Sequence, residues 1–206
     1  MFILIIGLVF AIALLFLPRI LARSQSAMLA QYEILERRFQ FKRTVFTSKW
    51  GGGIGERHSL SGSFSGYPVS LYDHYREGES GKIVWTTLAM EMLFAGEREI
   101  LLEAVDGDEL ARFERKAKMA AVDSALEDFA LYADVEDLGE RLIDESLQER
   151  INRFRGTGSF RLSKGFFEYR ETGRILDEAA RIRFQEALTV LAELGDRVAE
   201  LVGRER

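Results

Sequence analysis

The chain has 206 residues, of which 47% are hydrophobic and 30% charged, so it is long enough for one globular domain plus an additional segment. It contains no cysteine, which excludes disulfides, thiolate metal sites and cysteine nucleophiles. A net charge of −5 argues against nucleic acid as the main partner.

The N-terminal segment is strongly apolar. Its first 17 residues carry no charged side chain, and the apolar run resumes after Pro18 and Arg19. A helix over residues 1–22 would be about 33 Å long, enough to cross a hydrocarbon core of about 30 Å. A secretory signal would require Lys or Arg before the apolar run, and none is present there. We therefore predict an uncleaved transmembrane anchor at residues 1–22.

Basic residues follow the predicted span, with Arg19 and Arg23 at the membrane flank. Residues 19–60 hold eight Lys or Arg against three Glu, a net of +5, whereas residues 61–206 hold 20 against 30, a net of −10. The positive-inside rule then predicts an inner-membrane protein with its N-terminus outside and its domain in the cytoplasm. The basic part would lie beside anionic membrane lipid.

Residues 23–42 are predicted to form a basic helical stalk, because apolar residues recur there near a helical period. These apolar residues are Met28, Leu29, Tyr32, Leu35 and Phe39. We assign the remainder, residues 43–206, to one cytoplasmic α+β domain.

The first part of that domain has the pattern of antiparallel strands. Tyr67, Val69, Leu71 and Tyr75 alternate with polar residues and fall on one face of a period-two segment. Further β-rich runs follow at residues 82–90 and 99–104.

The second part alternates helices and strands. We predict a charged helix at about 109–118, a short strand near 128–132, and a helix opened by Asp137 with capping-box spacing. Residues 158–162 and 165–169 form a predicted hairpin around Ser163 and Lys164.

The longest predicted helix covers residues 175–202 and carries one apolar stripe. The stripe consists of Leu176, Ala180, Phe184, Ala187, Leu191, Leu194, Val198 and Leu201. The predicted fold class is therefore α+β, with an N-terminal transmembrane helix followed by an antiparallel sheet packed with amphipathic helices.

The order of these segments resembles a group of uncharacterised bacterial membrane-anchored domains. The resemblance lies in the strands GYPVSLYDHY and SGKIVWTT, the strand FALYAD, the helix LGERLIDESLQERI, the hairpin GSFRLSKGFFEYR and the closing helix. It covers nearly all of the chain. It implies an α+β fold and a bacterial origin, but no activity, cofactor or catalytic residue.

The stretch KWGGGIGERH, residues 49–58, contains four glycines. A P-loop needs Lys after its glycines, whereas Lys49 precedes them, and the third position of G-x-G-x-x-G falls on Glu56 or His58. A flexible turn or a close backbone approach is the better interpretation. Lys49 and Arg57 would still suit an anion.

The two histidines, His58 and His74, lack the spacing of a zinc motif. The stretch around Phe64 is not a nucleophile elbow, because G-x-S-x-G needs serine at its centre. In a strand, His74 and Tyr72 share the face opposite Leu71 and would meet solvent or a partner. We therefore expect no enzyme activity, no catalytic residue, no metal and no cofactor.

We interpret the chain as a non-catalytic, membrane-anchored accessory or scaffold subunit that stabilises a larger integral-membrane complex, respiratory or photosynthetic. Two alternatives stay open: a small-ligand or lipid-headgroup sensor that uses the glycine-rich loop at 49–58, and an unrecognised enzyme whose site assembles from distant residues. The candidate partner or anion contacts are Lys49, Trp50, Arg57, His58, Tyr72 and His74.

Overall fold

The structure, a computed structural model, describes residues 22–48, 55–78, 81–92, 100–104, 120–122, 129–133, 142–163 and 165–204. The strands within these ranges are β1 (Lys42–Ser48), β2 (Gly55–Phe64), β3 (Tyr67–Gly78), β4 (Gly81–Glu91), β5 (Ile100–Ala104), β6 (Ala120–Val122), β7 (Phe129–Ala133), β8 (Gly158–Ser163) and β9 (Phe166–Thr172). They form one sheet of nine strands in the order β1-β2-β3-β4-β9-β8-β5-β7-β6. Each pair of neighbours is antiparallel.

Three helices are described: α1 (residues 22–39), α2 (Glu145–Asn152) and α3 (Glu178–Arg204). Helix α2 begins where the Asp144 carboxylate accepts a hydrogen bond from the Leu147 backbone N–H at 2.9 Å. Asp177 does the same for the Ala180 N–H at 2.8 Å, at the start of α3. Both are N-caps, which satisfy backbone donors that the first helical turn leaves without partners.

Helices α1 and α3 cover one face of the sheet, which we call the helix face. A row of buried apolar side chains crosses five strands on this face, in register from β2 to β8: Leu60, Leu71, Leu88, Tyr169 and Phe160. Phe184 of α3 packs edge-on against Tyr169, with ring centroids 5.3 Å apart. Burial of each leucine in this row contributes about 2 kcal/mol, so the row is a main source of stability.

The predicted fold class, an α+β domain led by a transmembrane helix, is wrong in that form. Among the described helices, none is both long enough and apolar enough to cross a membrane. Residues 1–21 of the predicted anchor lie outside the described residues. Helix α1, which lies in the predicted stalk, places Met28, Tyr32 and Leu35 in the core, so its apolar period reflects packing on the sheet.

The later elements agree with the sequence pattern except at their ends. The predicted hairpin is confirmed as β8 and β9, with Ser163 paired to Phe166. Seven residues of the predicted stripe on α3 are buried, whereas Leu176, which precedes the helix, is exposed. The predicted cap at Asp137 and the predicted helix at 109–118 lie outside the described residues.

Candidate functional site

The face of the central strands opposite the helix face is polar. Side chains alternate between the two faces of a strand, so the row beside Leu60 and Leu71 faces away from the helices. In register from β2 to β8, this second row consists of Ser59, Tyr72, Thr87, Arg170 and Ser159. We call these residues, together with His74, Trp85 and Glu168 on the same side, the polar face.

The centre of the polar face is Thr87, which is fully buried at 0% exposure. Its Oγ1 lies 3.3 Å from Nδ1 of His74 on the neighbouring strand. The rings of His74 and Tyr72 have centroids 6.0 Å apart. Strand pairing therefore holds a hydroxyl, an imidazole and a phenol close together on a rigid support.

The charges of the polar face are paired with each other. Arg170 forms an ion pair with Glu168, and their side chains are only 17% and 15% exposed. Burial raises the pKa of Tyr72, and the nearby Glu168 raises it further, whereas Arg170 lowers it. The phenol is therefore a neutral hydrogen-bonding group at physiological pH.

A separate row of polar groups lies at one end of the helix face. Asp73, Thr86 and Glu171 stand in register across β3, β4 and β9. The Thr86 Oγ1 lies 2.8 Å from the Asp73 carboxylate and 2.7 Å from the Gly173 carbonyl oxygen. Because Thr86 is fully buried, its hydroxyl must keep such partners.

Asp73 connects α1 to this row. Its carboxylate accepts a long hydrogen bond from the Tyr32 hydroxyl at 3.4 Å and lies 3.3 Å from the Arg174 guanidinium. Burial raises the pKa of Asp73, while the Thr86 hydroxyl and Arg174 oppose that rise. Asp73 is therefore a carboxylate whose desolvation is only partly offset by its partners.

Glu171 connects α3 to the same row. The Arg183 guanidinium donates two hydrogen bonds to its carboxylate, at 2.8 and 3.0 Å, and the Tyr169 hydroxyl donates a third at 2.5 Å. The hydrogen bond to Glu171 raises the pKa of Arg183, and burial raises that of Tyr169. A buried carboxylate with these partners fixes the helix on the sheet.

The structure brings together two of the predicted contact residues. Tyr72 and His74 both lie on the polar face, whereas His58 is buried on the helix side, where it lowers the pKa of Asp73. The Arg57 guanidinium lies over the Tyr75 ring, 5.1 Å from its centroid. His58 and Arg57 therefore have roles within the sheet.

The other predicted contacts are located as follows. Lys49, Trp50 and Arg19 lie outside the described residues, and Arg23 is exposed on α1. In the part of the chain that the structure describes, no group of three or more His, Asp or Glu side chains is placed to hold a metal ion. The groups that sequence reasoning missed are Thr87, Glu168 and Arg170, whose neighbours are set by the β4–β9 pairing.

The scaffold is an antiparallel sheet with helices on one face and polar side chains on the opposite face of its central strands. No model of a known protein family and no curated protein matches the sequence. The fold is similar to the crystal structure of the mycobacterial trehalose monomycolate transport factor A, TtfA, with a TM-score of 0.53. The match covers 85% of this chain and 92% of that chain at 13% sequence identity, so what is shared is the fold.

Proposed function

We propose that this chain is a non-catalytic accessory factor in membrane lipid transport, which binds a component of a larger membrane complex through its polar face. The observation that carries the proposal is the row of partly exposed side chains Ser59, Tyr72, Arg170 and Ser159, which stand around the buried Thr87 on the side of the sheet opposite the helix face. This row and its neighbours supply hydrogen-bonding, aromatic and charged groups at fixed spacing.

The composition of the polar face suits a protein partner. Tyrosine, tryptophan and arginine are the residues that most often dominate binding energy at protein interfaces, and here Tyr72, Trp85 and Arg170 stand on three adjacent strands. Each is already half-buried. Such side chains lose less conformational entropy on binding than freely exposed ones, which favours affinity.

The geometry at Thr87 supports binding over catalysis. Thr87 and His74 resemble a nucleophile and its general base, with 3.3 Å between the hydroxyl and the imidazole. The Thr87 side chain is fully buried, however, so a substrate has no access to its hydroxyl. Arg170 is already paired with Glu168, which leaves less of its charge for an anionic substrate.

The link to a membrane rests on two observations. The fold is similar to that of a protein described as a trehalose monomycolate transport factor. Arg23, Lys42 and Arg43 are exposed at the same end of the sequence, within the region of net positive charge, and would be attracted to anionic lipid. The cytoplasmic orientation, the respiratory or photosynthetic complex, and the sensor and enzyme alternatives stay predictions.

The test is to isolate the full-length, C-terminally tagged chain from native membranes in mild detergent and quantify its co-purifying proteins by mass spectrometry. We expect one membrane complex at a constant ratio, reduced at least tenfold by Tyr72→Ala combined with Arg170→Ala. Arg153→Ala, which truncates an exposed arginine at the C-terminal end of α2, is the matched control. Recovery of the same complex with the double variant would overturn the proposal.

A further inference from the structure

Strand β1 is the terminal strand on one side of the sheet, and among the described residues it pairs only with β2. Its outer edge therefore presents backbone N–H and C=O groups that a further strand could pair with. Val45 and Phe46, which point to opposite sides of the strand, are 50% and 55% exposed. Both sides of this strand are therefore accessible and apolar at its centre.

In the part of the chain that the structure describes, β1 has no bulge, no proline and no charge near its middle to protect its edge. Natural edges carry a charge or proline near the middle, or a bulge that twists them away. In β1 the two charges, Lys42 and Arg43, stand at its start, and the following Thr44 to Ser48 are uncharged. All seven residues pair with β2 in continuous register, without a bulge. The strand is thus suited to pairing with another strand.

We propose that β1 pairs with β1 of a second copy of this chain, antiparallel and about a two-fold axis at Val45. Two sheets would then join into one continuous sheet. A two-fold axis makes the contact self-complementary and closed, which is the commonest arrangement of protein dimers.

The register follows from the length of the strand. Antiparallel pairing centred on Val45 is the alignment that pairs all seven residues: Lys42 with Ser48, Arg43 with Thr47, Thr44 with Phe46, and Val45 with its own copy. The exposed apolar residues, Val45 and Phe46, then gather at the axis. Cross-strand pairs of β-branched and aromatic residues stabilise a sheet.

The charges favour the antiparallel direction for pairing between two copies. In this register the two Lys42 residues lie six residues apart along the ladder, about 20 Å, which exceeds the Debye length of about 8 Å at physiological salt. Parallel pairing in register would instead place Lys42 beside Lys42 and Arg43 beside Arg43, about 5 Å apart. Glu36 already compensates Arg43, at 3.1 Å.

The absence of cysteine from the chain permits a direct test by cross-linking of the full-length protein. In Val45→Cys, the two introduced cysteines would have Cα atoms about 5 Å apart, within the range that a disulfide spans. In Arg43→Cys they would lie about 13 Å apart, which a disulfide cannot span. Position 43 is thus a matched control on the same exposed strand.

We expect mild oxidation to convert Val45→Cys to a covalent dimer and to leave Arg43→Cys monomeric. A mixture of Arg43→Cys and Thr47→Cys should cross-link between the two variants, because the proposed register pairs these positions. A monomeric Val45→Cys, or equal cross-linking at positions 43 and 45, would overturn the proposal.

Sedimentation of the protein without introduced cysteines gives an independent measurement. The native chain should pass from monomer to dimer as concentration rises, and Phe46→Lys should raise the dissociation constant at least tenfold. Ile182→Lys, which changes an exposed apolar residue on α3, should leave it unchanged. If Phe46→Lys leaves the dissociation constant of the dimer and the melting temperature unchanged, the proposal is contradicted. Val45→Cys should still cross-link when it is combined with Tyr72→Ala and Arg170→Ala. A failure of dimerisation can therefore be distinguished from a failure of partner binding.

Discussion

The two faces of the central sheet are built from the same strands but have different chemistry. On the helix face, Leu71 and Leu88 are buried under helices, and the polar groups at the end of that face each have a partner inside the fold. On the polar face, the neighbouring residues Tyr72 and Thr87 belong to a row of polar side chains. Because one residue along a strand changes the face, stability and binding can be altered separately at adjacent positions.

Truncation of neighbouring residues on β4 should separate the faces most strongly. Leu88→Ala leaves a cavity in the helix-face row and is expected to lower the free energy of unfolding by about 3 kcal/mol. Thr87→Ala removes the hydroxyl beside His74 and should cost about 1 kcal/mol. Urea unfolding of both variants checks this, and equal losses would show that the two faces contribute alike.

Removing the hydroxyl of one tyrosine on each face gives a finer comparison of the two faces. Tyr169→Phe removes the donor that lies 2.5 Å from the buried Glu171 carboxylate, so we expect a loss of about 2 kcal/mol. Tyr72→Phe on the polar face should change stability by less than about 0.5 kcal/mol, because that side chain is half-exposed. Thermal unfolding at constant pH measures both, and a larger effect of Tyr72→Phe would contradict the division.

The smallest expected effect is a pH dependence from Asp73. Burial raises its pKa in the folded state above the ordinary value, so the folded protein binds more protons than the unfolded chain between the two values. Stability should therefore fall as pH rises from about 3.9 through the folded pKa. Asp73→Asn removes this pH dependence. The free energy of unfolding of the variant, relative to that of the native chain, should therefore rise as pH rises across that range.

Asp144 provides the control of opposite sign. The Leu147 backbone N–H and then Arg197 lower its pKa, so its contribution is present above the ordinary value and is lost as pH falls through the folded pKa. Relative to the native chain, Asp144→Asn should therefore become less stable as pH rises. Urea unfolding at pH steps from 3 to 7 tests both variants, and shifts of the same sign would refute the assignment.

Local patterns were sufficient to predict several elements but not their ends. The two segments that flank Ser163 and Lys164 predict the β8–β9 hairpin, and the apolar stripe predicts α3. Leu176 fitted the stripe by spacing, but the Asp177 cap starts the helix after it. The apolar period of α1 predicts a stalk as readily as a packed helix, because spacing alone does not distinguish a free helix from one that packs on a sheet.

The candidate site depended on contacts between distant segments. Period alone placed Tyr72 and His74 on one face, but Thr87 meets Arg170 only because β4 pairs with β9. The same pairing aligns Thr86 with Glu171. The sequence neighbours of His58 predict a partner or anion contact, whereas the sheet buries its side chain. Register between strands far apart in sequence carries no local signal.

The strand order also has a consequence for synthesis of the protein. β4 lies beside β9, so its second edge stays unpaired until residues 166–172 have left the ribosome. The helix face also stays uncovered until α3, which follows β9 in the chain, has been synthesised. From the completion of β4 until β9 and α3 have been synthesised, the nascent chain therefore exposes a β edge and an apolar surface, a state that engages chaperones. We expect products truncated before residue 166 to aggregate or to be degraded.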